Sequence, residues 1–215
     1  MWRGWRVIVP VVVVNAALQA LLIWSDPTPG CGIGPLLLAL VSAVVFLVSY
    51  GLVAATALKV ADGSVGWQQA VTTLRSHAVR YSVWAVGLAV VAFAGFAAYT
   101  VPGLVVLAFT PFLLLAALDG QRNPLGANVR TIGRSFWRWL LTTVITGAVV
   151  LVGNLVGGLT TFFVRGSVAS LLVWVVAGLV LAWFTTAWAL IYRSAWVEQS
   201  EPEPNSEEAP AVEAA

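Results

Sequence analysis

The chain has 215 residues, of which 60% are hydrophobic and only 9% charged, with a formal charge of +2 and a mean hydropathy of +0.93. Water-soluble domains carry about 25% charged residues, so this composition excludes an ordinary globular enzyme and also a disordered chain. One cysteine (Cys31) and one histidine (His77) exclude a disulfide scaffold and a metal site built from several Cys and His ligands.

The small net charge hides an uneven distribution. Residues 1–197 hold all eleven Lys and Arg against Asp26, Asp62 and Asp119, whereas residues 198–215 carry six glutamates and no cation. That acidic tail, with EPEPNSEEAP at its centre, has too little apolar content to build a core and is expected to be disordered. Ten of the eleven cations are Arg, the usage of a high-GC bacterial genome.

A helix crossing the hydrocarbon needs about 20 mostly apolar residues. The first predicted span, 7–24, follows two arginines and ends at the turn Ser25-Asp26-Pro27-Thr28-Pro29-Gly30. No small-x-small site follows its apolar run cleanly, and Thr28 with Pro29 precedes Cys31 where a lipoprotein signal needs an apolar residue, so the helix is expected to be retained. Cys31 is then a small outer-loop residue, with an intermolecular disulfide as the alternative. The second span, 35–58, is stopped by Lys59 and Asp62-Gly63, and the third, 82–101, by Pro102-Gly103. The fourth, 104–118, is the shortest and contains Pro111; at 1.5 Å per residue it falls short of a core about 30 Å thick. Spans 140–161 and 168–192 complete an expected all-α, six-helix transmembrane bundle. With the N-terminus inside, ten cations fall on cytoplasmic segments and only Arg165 outside, which predicts both termini in the cytoplasm of a bacterial inner-membrane protein.

Two polar stretches separate these spans and are expected to be interfacial helices on the cytoplasmic side. In the first, Trp67, Val71, Leu74, Ala78 and Tyr81 recur at helical spacing. In the second, Asn123-Pro124 forms an N-cap and N1 pair. There Leu125, Val129, Ile132, Phe136 and Trp139 make the apolar stripe, and Arg130, Arg134 and Arg138 recur every four residues on another face. These arginines carry two readings: topology anchors that snorkel to headgroups, or a ladder holding an anionic lipid or phosphate-bearing ligand, at about 1 kcal/mol per cation. Both stretches follow an Asp-Gly (Asp62-Gly63, Asp119-Gly120). At an offset of 58, Val71 matches Val129, Thr73 matches Thr131, Leu74 aligns with Ile132, Arg80 matches Arg138 and Gly95 matches Gly153. The layout points to a parallel internal duplication.

No Asp, Glu, Lys, Arg or His falls inside the six expected spans, which argues against a proton-coupled pump, an ion-selective channel or intramembrane hydrolysis. The polar residues present read as packing features. Ser42, Ser49 and Thr56 share one face of the second span, Gly153 and Gly157 form a GxxxG, and Asn15 and Gln19 share a face of the first. Gln19 and Asn154 both fall roughly 20 Å from the cytoplasmic ends, so they are expected to pair. Among eleven tryptophans, Trp2, Trp5, Trp67, Trp137, Trp139 and Trp196 flank the cytoplasmic side and Trp24 the outer one, as interface anchors do. Trp174, Trp183 and Trp188 fall within the sixth span. His77 is read as an interfacial polar residue.

Thr110-Pro111 in a short helix, then Asp119-Gly120, then the Asn128–Trp139 stretch, then two long spans ending at Tyr192-Arg193 give the chain a family resemblance. It resembles the multi-span membrane domain found beside bacterial glycerophosphoryl diester phosphodiesterases, and small actinobacterial integral membrane proteins. The likeness covers about 80 residues closely and, through the repeat, about 130 loosely. The family's phosphodiesterase activity belongs to a separate soluble domain, so what the resemblance implies is a module that anchors, organises or presents lipid. The expectation is therefore a non-catalytic membrane protein without cofactor, metal or nucleic acid. Its partners would be membrane lipids, another membrane protein, or a cytoplasmic protein docked on the acidic tail. A permease component for a neutral or lipid-like substrate is the runner-up.

Overall fold

The computed structural model describes residues 2–23, 33–64, 66–160 and 167–197; Trp24, Cys31, Arg165 and the tail from Glu198 lie outside them. The described residues are all-helical: α1 Trp2–Ile23, α2 Ile33–Ala61, α3 Trp67–Ser76, α4 Ala78–Ala98, α5 Thr100–Phe109, α6 Leu113–Leu118, α7 Pro124–Arg134, α8 Phe136–Thr160 and α9 Ser167–Val197. Five of these (α1, α2, α4, α8 and α9) contain stretches long and apolar enough to cross a membrane. Their outward faces carry large apolar side chains such as Leu36, Leu40, Val90, Leu141 and Val176, each more than half exposed. Water would not tolerate so much contiguous apolar surface on a monomer, whereas a bilayer requires it.

Helices α1, α2 and α9 pack together as the centre of the bundle. Ile8, Val11 and Val12 of α1 meet Val53 of α2 and Ala182 of α9. A Cβ placed on Gly4 would meet Val60 Cγ2, and one on Gly178 would meet Val12 Cγ1. The glycines thus let these helices approach closely. α1 runs antiparallel to α2, its start beside the end of α2 and its far half beside Ser42.

The fourth expected span departs from the sequence reading. Residues 104–118 do not form one helix. α5 ends at Phe109, Thr110-Pro111-Phe112 make a turn, and α6 follows as a six-residue helix. The cause is local: Pro111 has no N–H to donate and its ring disfavours a helical Thr110. α6 is buried on every side, with Leu115, Ala116, Ala117 and Leu118 at zero exposure. The pair α5–α6 retraces α4: Gly103 backbone lies against Gly95 near one end, and Gly120 carbonyl accepts from Arg80 at the other.

The backbone groups freed by that break are taken by the second polar stretch. Asn128 of α7, 2% exposed, donates from Nδ2 to Phe109 O at 2.7 Å, and its Oδ1 accepts from Phe112 N–H at 3.0 Å. Trp139 Nε1 donates to Ala108 O at 3.0 Å. α7 consequently turns Ala127, Asn128 and Thr131 inward, and the expected apolar stripe divides: Leu125, Val129 and Phe136 are exposed, whereas Ile132 packs against the core and Trp139 is buried in it.

Neither polar stretch is a single helix through to its last stripe residue. The first breaks at His77 and the second at Ser135, 58 positions apart. The long helices also reach further than the expected spans, so Lys59, Arg80, Arg138 and Arg193 belong to helix ends rather than loops.

Candidate functional site

Helices α2 and α6 end in the same way. After α2, Asp62 N–H bonds Leu58 O, Gly63 N–H bonds Val60 O and Ser64 N–H bonds Lys59 O. After α6, Asp119 N–H bonds Leu115 O, Gly120 N–H bonds Ala117 O and Gln121 N–H bonds Ala116 O. Gly63 and Gly120 take φ of 74° and 79°, the left-handed conformation of a Schellman ending that side chains resist. Each turn therefore presents an aspartate just before its glycine.

Arg193, one turn from the end of α9, sits between those two aspartates. Its Nη1 is 2.8 Å from Asp119 Oδ1, its Nε 2.8 Å from Asp62 Oδ1, and Nη2 donates to Asp62 Oδ2 at 3.1 Å. Tyr192 OH donates to Asp119 Oδ2 at 3.0 Å, and Gln121 Nε2 donates to the same oxygen at 3.3 Å. Lys59 Nζ approaches Asp62 at 3.8 Å. From α4, Arg80 Nη1 donates to Gly120 O at 2.6 Å and to Gln121 O at 3.0 Å. One guanidinium thus holds two carboxylates, and the cluster ties α2, α4, α6 and α9 together at a single end of the bundle. The aspartates are only 32% and 17% exposed. With both carboxylates held by Arg193, and Lys59 beside Asp62, the arrangement is a clasp.

The arginine ladder lies at the same end. Arg130 and Arg134 stack over Trp196, 5.7 and 5.9 Å from its ring centroid. Arg134 Nη1 donates to Ala195 O at 3.2 Å, and Arg138 Nη1 reaches Ser194 Oγ at 3.4 Å. All three remain exposed, but they also line the last turn of α9, where cations complement the helix dipole. The spacing of four residues revealed the ladder; nothing in it revealed α9 as its neighbour.

The expected packing residues fall as follows. Gln19 pairs with Ser42: its Nε2 donates to Ser42 O at 3.1 Å, and Ser42 Oγ donates to its Oε1 at 2.6 Å. Ser49 lines a small cavity of about 30 Å³ with Asn15 and Tyr50 between α1, α2 and α9, and Thr56 Oγ1 donates back to Leu52 O. Gly153 has open space around it. The side chain of Asn154, and Gly157 as a contact, lie outside the described residues; the amide of Gln19 is already engaged by α2. Among the described residues, no group of three His, Cys, Asp or Glu could hold a metal ion.

Arg193 was legible in the sequence only as one more cation, since its partners are far away in the chain. The paired Asp-Gly turns were the usable signal. No protein-family model, curated protein or solved structure matches the chain.

Proposed function

We propose that the chain is a non-catalytic integral membrane module that binds anionic lipid, alone or with a partner membrane protein, on the cytoplasmic face of a bacterial inner membrane. The supporting observation is the gathering of Lys59, Arg80, Arg130, Arg134, Arg138 and Arg193 at one end of a bundle whose sides are apolar and exposed. By the positive-inside rule that end faces the cytoplasm, which places both termini there.

In this reading α5 and α6 together make a sixth crossing. They run from the far end of α4 back to its start, and a broken helix is tolerated at membrane depth when its freed backbone is buried in protein and rebonded. The matching turns after α2 and α6, and the matching corners at His77 and Ser135, support an ancestral duplication in which Arg193 clasps the equivalent aspartate of each half. The resemblance to membrane domains beside glycerophosphoryl diester phosphodiesterases points the same way, toward anchoring or presenting lipid.

Replacing Arg130, Arg134 and Arg138 together by Gln tests the lipid reading. Removing three cations, at about 1 kcal/mol each, is expected to weaken phosphatidylglycerol binding at the ladder about a hundredfold and so to strip it from there in mild detergent. Lipid mass spectrometry measures it, and an unchanged phosphatidylglycerol content would contradict the proposal.

A further inference from the structure

A cavity borders the clasp and shares Arg80 and Gly120 with it. It is an open groove of about 670 Å³ at the corner between α3 and α4, lined by Arg75, Ser76, His77, Arg80, Val83 and Trp84, with Val79 and Gly120 at its edges. That volume lies within the range of small-molecule sites, about 300–1,000 Å³. We infer that this groove is a specific site for one anionic glycerophospholipid, its phosphate held by Arg75 and Arg80 beside His77 and one acyl chain laid along α4. The inference rests on the lipid-binding function proposed above and adds a specific lipid position separate from the ladder of Arg130, Arg134 and Arg138.

The polar half of the groove is set for a phosphate. Arg80 is held in place because Nη1 donates to two backbone carbonyls, Gly120 O and Gln121 O, while its Nε and Nη2 have no partner among the described residues. Arg75 is exposed and makes no hydrogen bond or ion pair among them. His77 is half-buried, with Nδ1 at 3.0 Å from Ser76 Oγ and 3.3 Å from Thr73 O. Its Nε2 lies at Gly120, so close that a Cβ there would come within 2.8 Å of it. No acidic side chain lines the groove. A fixed guanidinium beside a second, free one suits bidentate capture of phosphate oxygens, and the fixed one loses little freedom on binding.

The apolar half continues the site in the direction a lipid needs. Val79, Val83, Val86 and Val90 recur on one face of α4 and are 81, 65, 52 and 61% exposed. Gly87, between the last two, has nothing within 4 Å of a Cβ position, leaving a shallow channel. From Arg80 to Val90 the helix rises about 15 Å, half of a hydrocarbon core about 30 Å thick, which is the depth of one leaflet.

The corner at Ser135 provides an internal contrast. It repeats the break 58 residues on, yet Gly133 and Ser135 stand where the first corner has Arg75 and His77, and Arg138 there reaches Ser194. The first corner leaves its Arg75 open to the groove, whereas the arginines of the second, Arg130, Arg134 and Arg138, are set against the end of α9.

The test uses the full chain in nanodiscs of phosphatidylglycerol and phosphatidylcholine, with retained lipid counted by native mass spectrometry. The wild type is expected to hold one phosphatidylglycerol at the groove, beyond any held by the ladder, through mild detergent. Arg75→Gln/His77→Gln is expected to lower that retention about fivefold, the effect of one juxtamembrane cation, and Arg75→Lys to keep most of it. Val83→Trp, which fills the channel without touching charge, is expected to lower it as well, and it decides the matter if the double variant does not fold. Inorganic phosphate in the millimolar range is expected to leave the lipid bound; displacement by phosphate with no loss in Val83→Trp would assign the groove to a free anion and overturn the proposal. Retention unchanged in both groove variants, but lost on neutralising Arg130, Arg134 and Arg138, would overturn the groove while leaving the lipid-binding function standing. A wild type with no preference for phosphatidylglycerol over phosphatidylcholine would remove both.

Discussion

Asn128→Leu is expected to destabilise the folded chain by about 2–4 kcal/mol, because it orphans the buried Phe112 N–H and takes the partner from Phe109 O in one step. Leu keeps the branching of Asn at Cγ and opens no cavity, so the loss reports the hydrogen bonds together with crowding by its larger methyl groups. The two groups concerned, Phe112 N–H and Phe109 O, flank the Thr110-Pro111 break, and α6 beyond it is the most deeply enclosed helix of the bundle. Trp139→Phe, which removes the single bond to Ala108 O, should cost about 1 kcal/mol. Unfolding in detergent followed by intrinsic tryptophan fluorescence checks both. An Asn128→Leu protein that unfolds together with the wild type would show that the break is not held by α7.

Arg193→Leu is expected to cost about 2–3 kcal/mol. This lies between an exposed pair, about 0–1 kcal/mol, and a buried one broken on one side, about 3–5 kcal/mol. The clasp is only partly exposed, and the substitution leaves Asp119 without a cation and Asp62 with Lys59 alone, at 3.8 Å. Asp62→Asn/Asp119→Asn in the Arg193→Leu background should then recover most of the loss, since the damage comes from uncompensated carboxylates. A triple variant no more stable than Arg193→Leu would mean that the ion pairs are incidental to a packing role of the arginine. The same unfolding measurement decides it.

The two results bear on what a sequence can reveal about such a protein. Long apolar runs and their cationic borders are local properties, so the five long helices could be placed from composition alone, and the weakness of residues 104–118 was visible in their shortness and in Pro111. What Pro111 does could not be read locally. Residues 104–118 alone do not show that their break would be bonded by Asn128 from the next helix. That long-range partner also decides which face of α7 meets the bundle: its small and polar residues turn inward to serve the break, with Leu125 and Val129 left outside.

The site followed the same division. The Asp-Gly pairs, the ladder of three arginines and the polar face of α2 were all legible as patterns. Their partners were not. Gln19 was matched by depth to Asn154, but depth ranks every helix of the bundle equally. Helices joined by a short connection pack side by side, and α1 against α2 brought Ser42 to Gln19 first. Arg193 could be counted as a topology cation from sequence, yet its role as a shared clasp appears only when the ends of α2, α6 and α9 are brought together.

The account stands most directly on which side of the membrane each connection faces. Single cysteines at Gly34, Gln68, Tyr99 and Gly133, all exposed, can be introduced in a Cys31→Ser chain and labelled on intact cells with a membrane-impermeant maleimide. Cysteines at 34 and 99 are expected to label from outside, and those at 68 and 133 only after the cells are opened. Labelling of position 133 from outside, or of 99 and 133 from the same side, would contradict a chain that crosses the membrane six times with its arginines within.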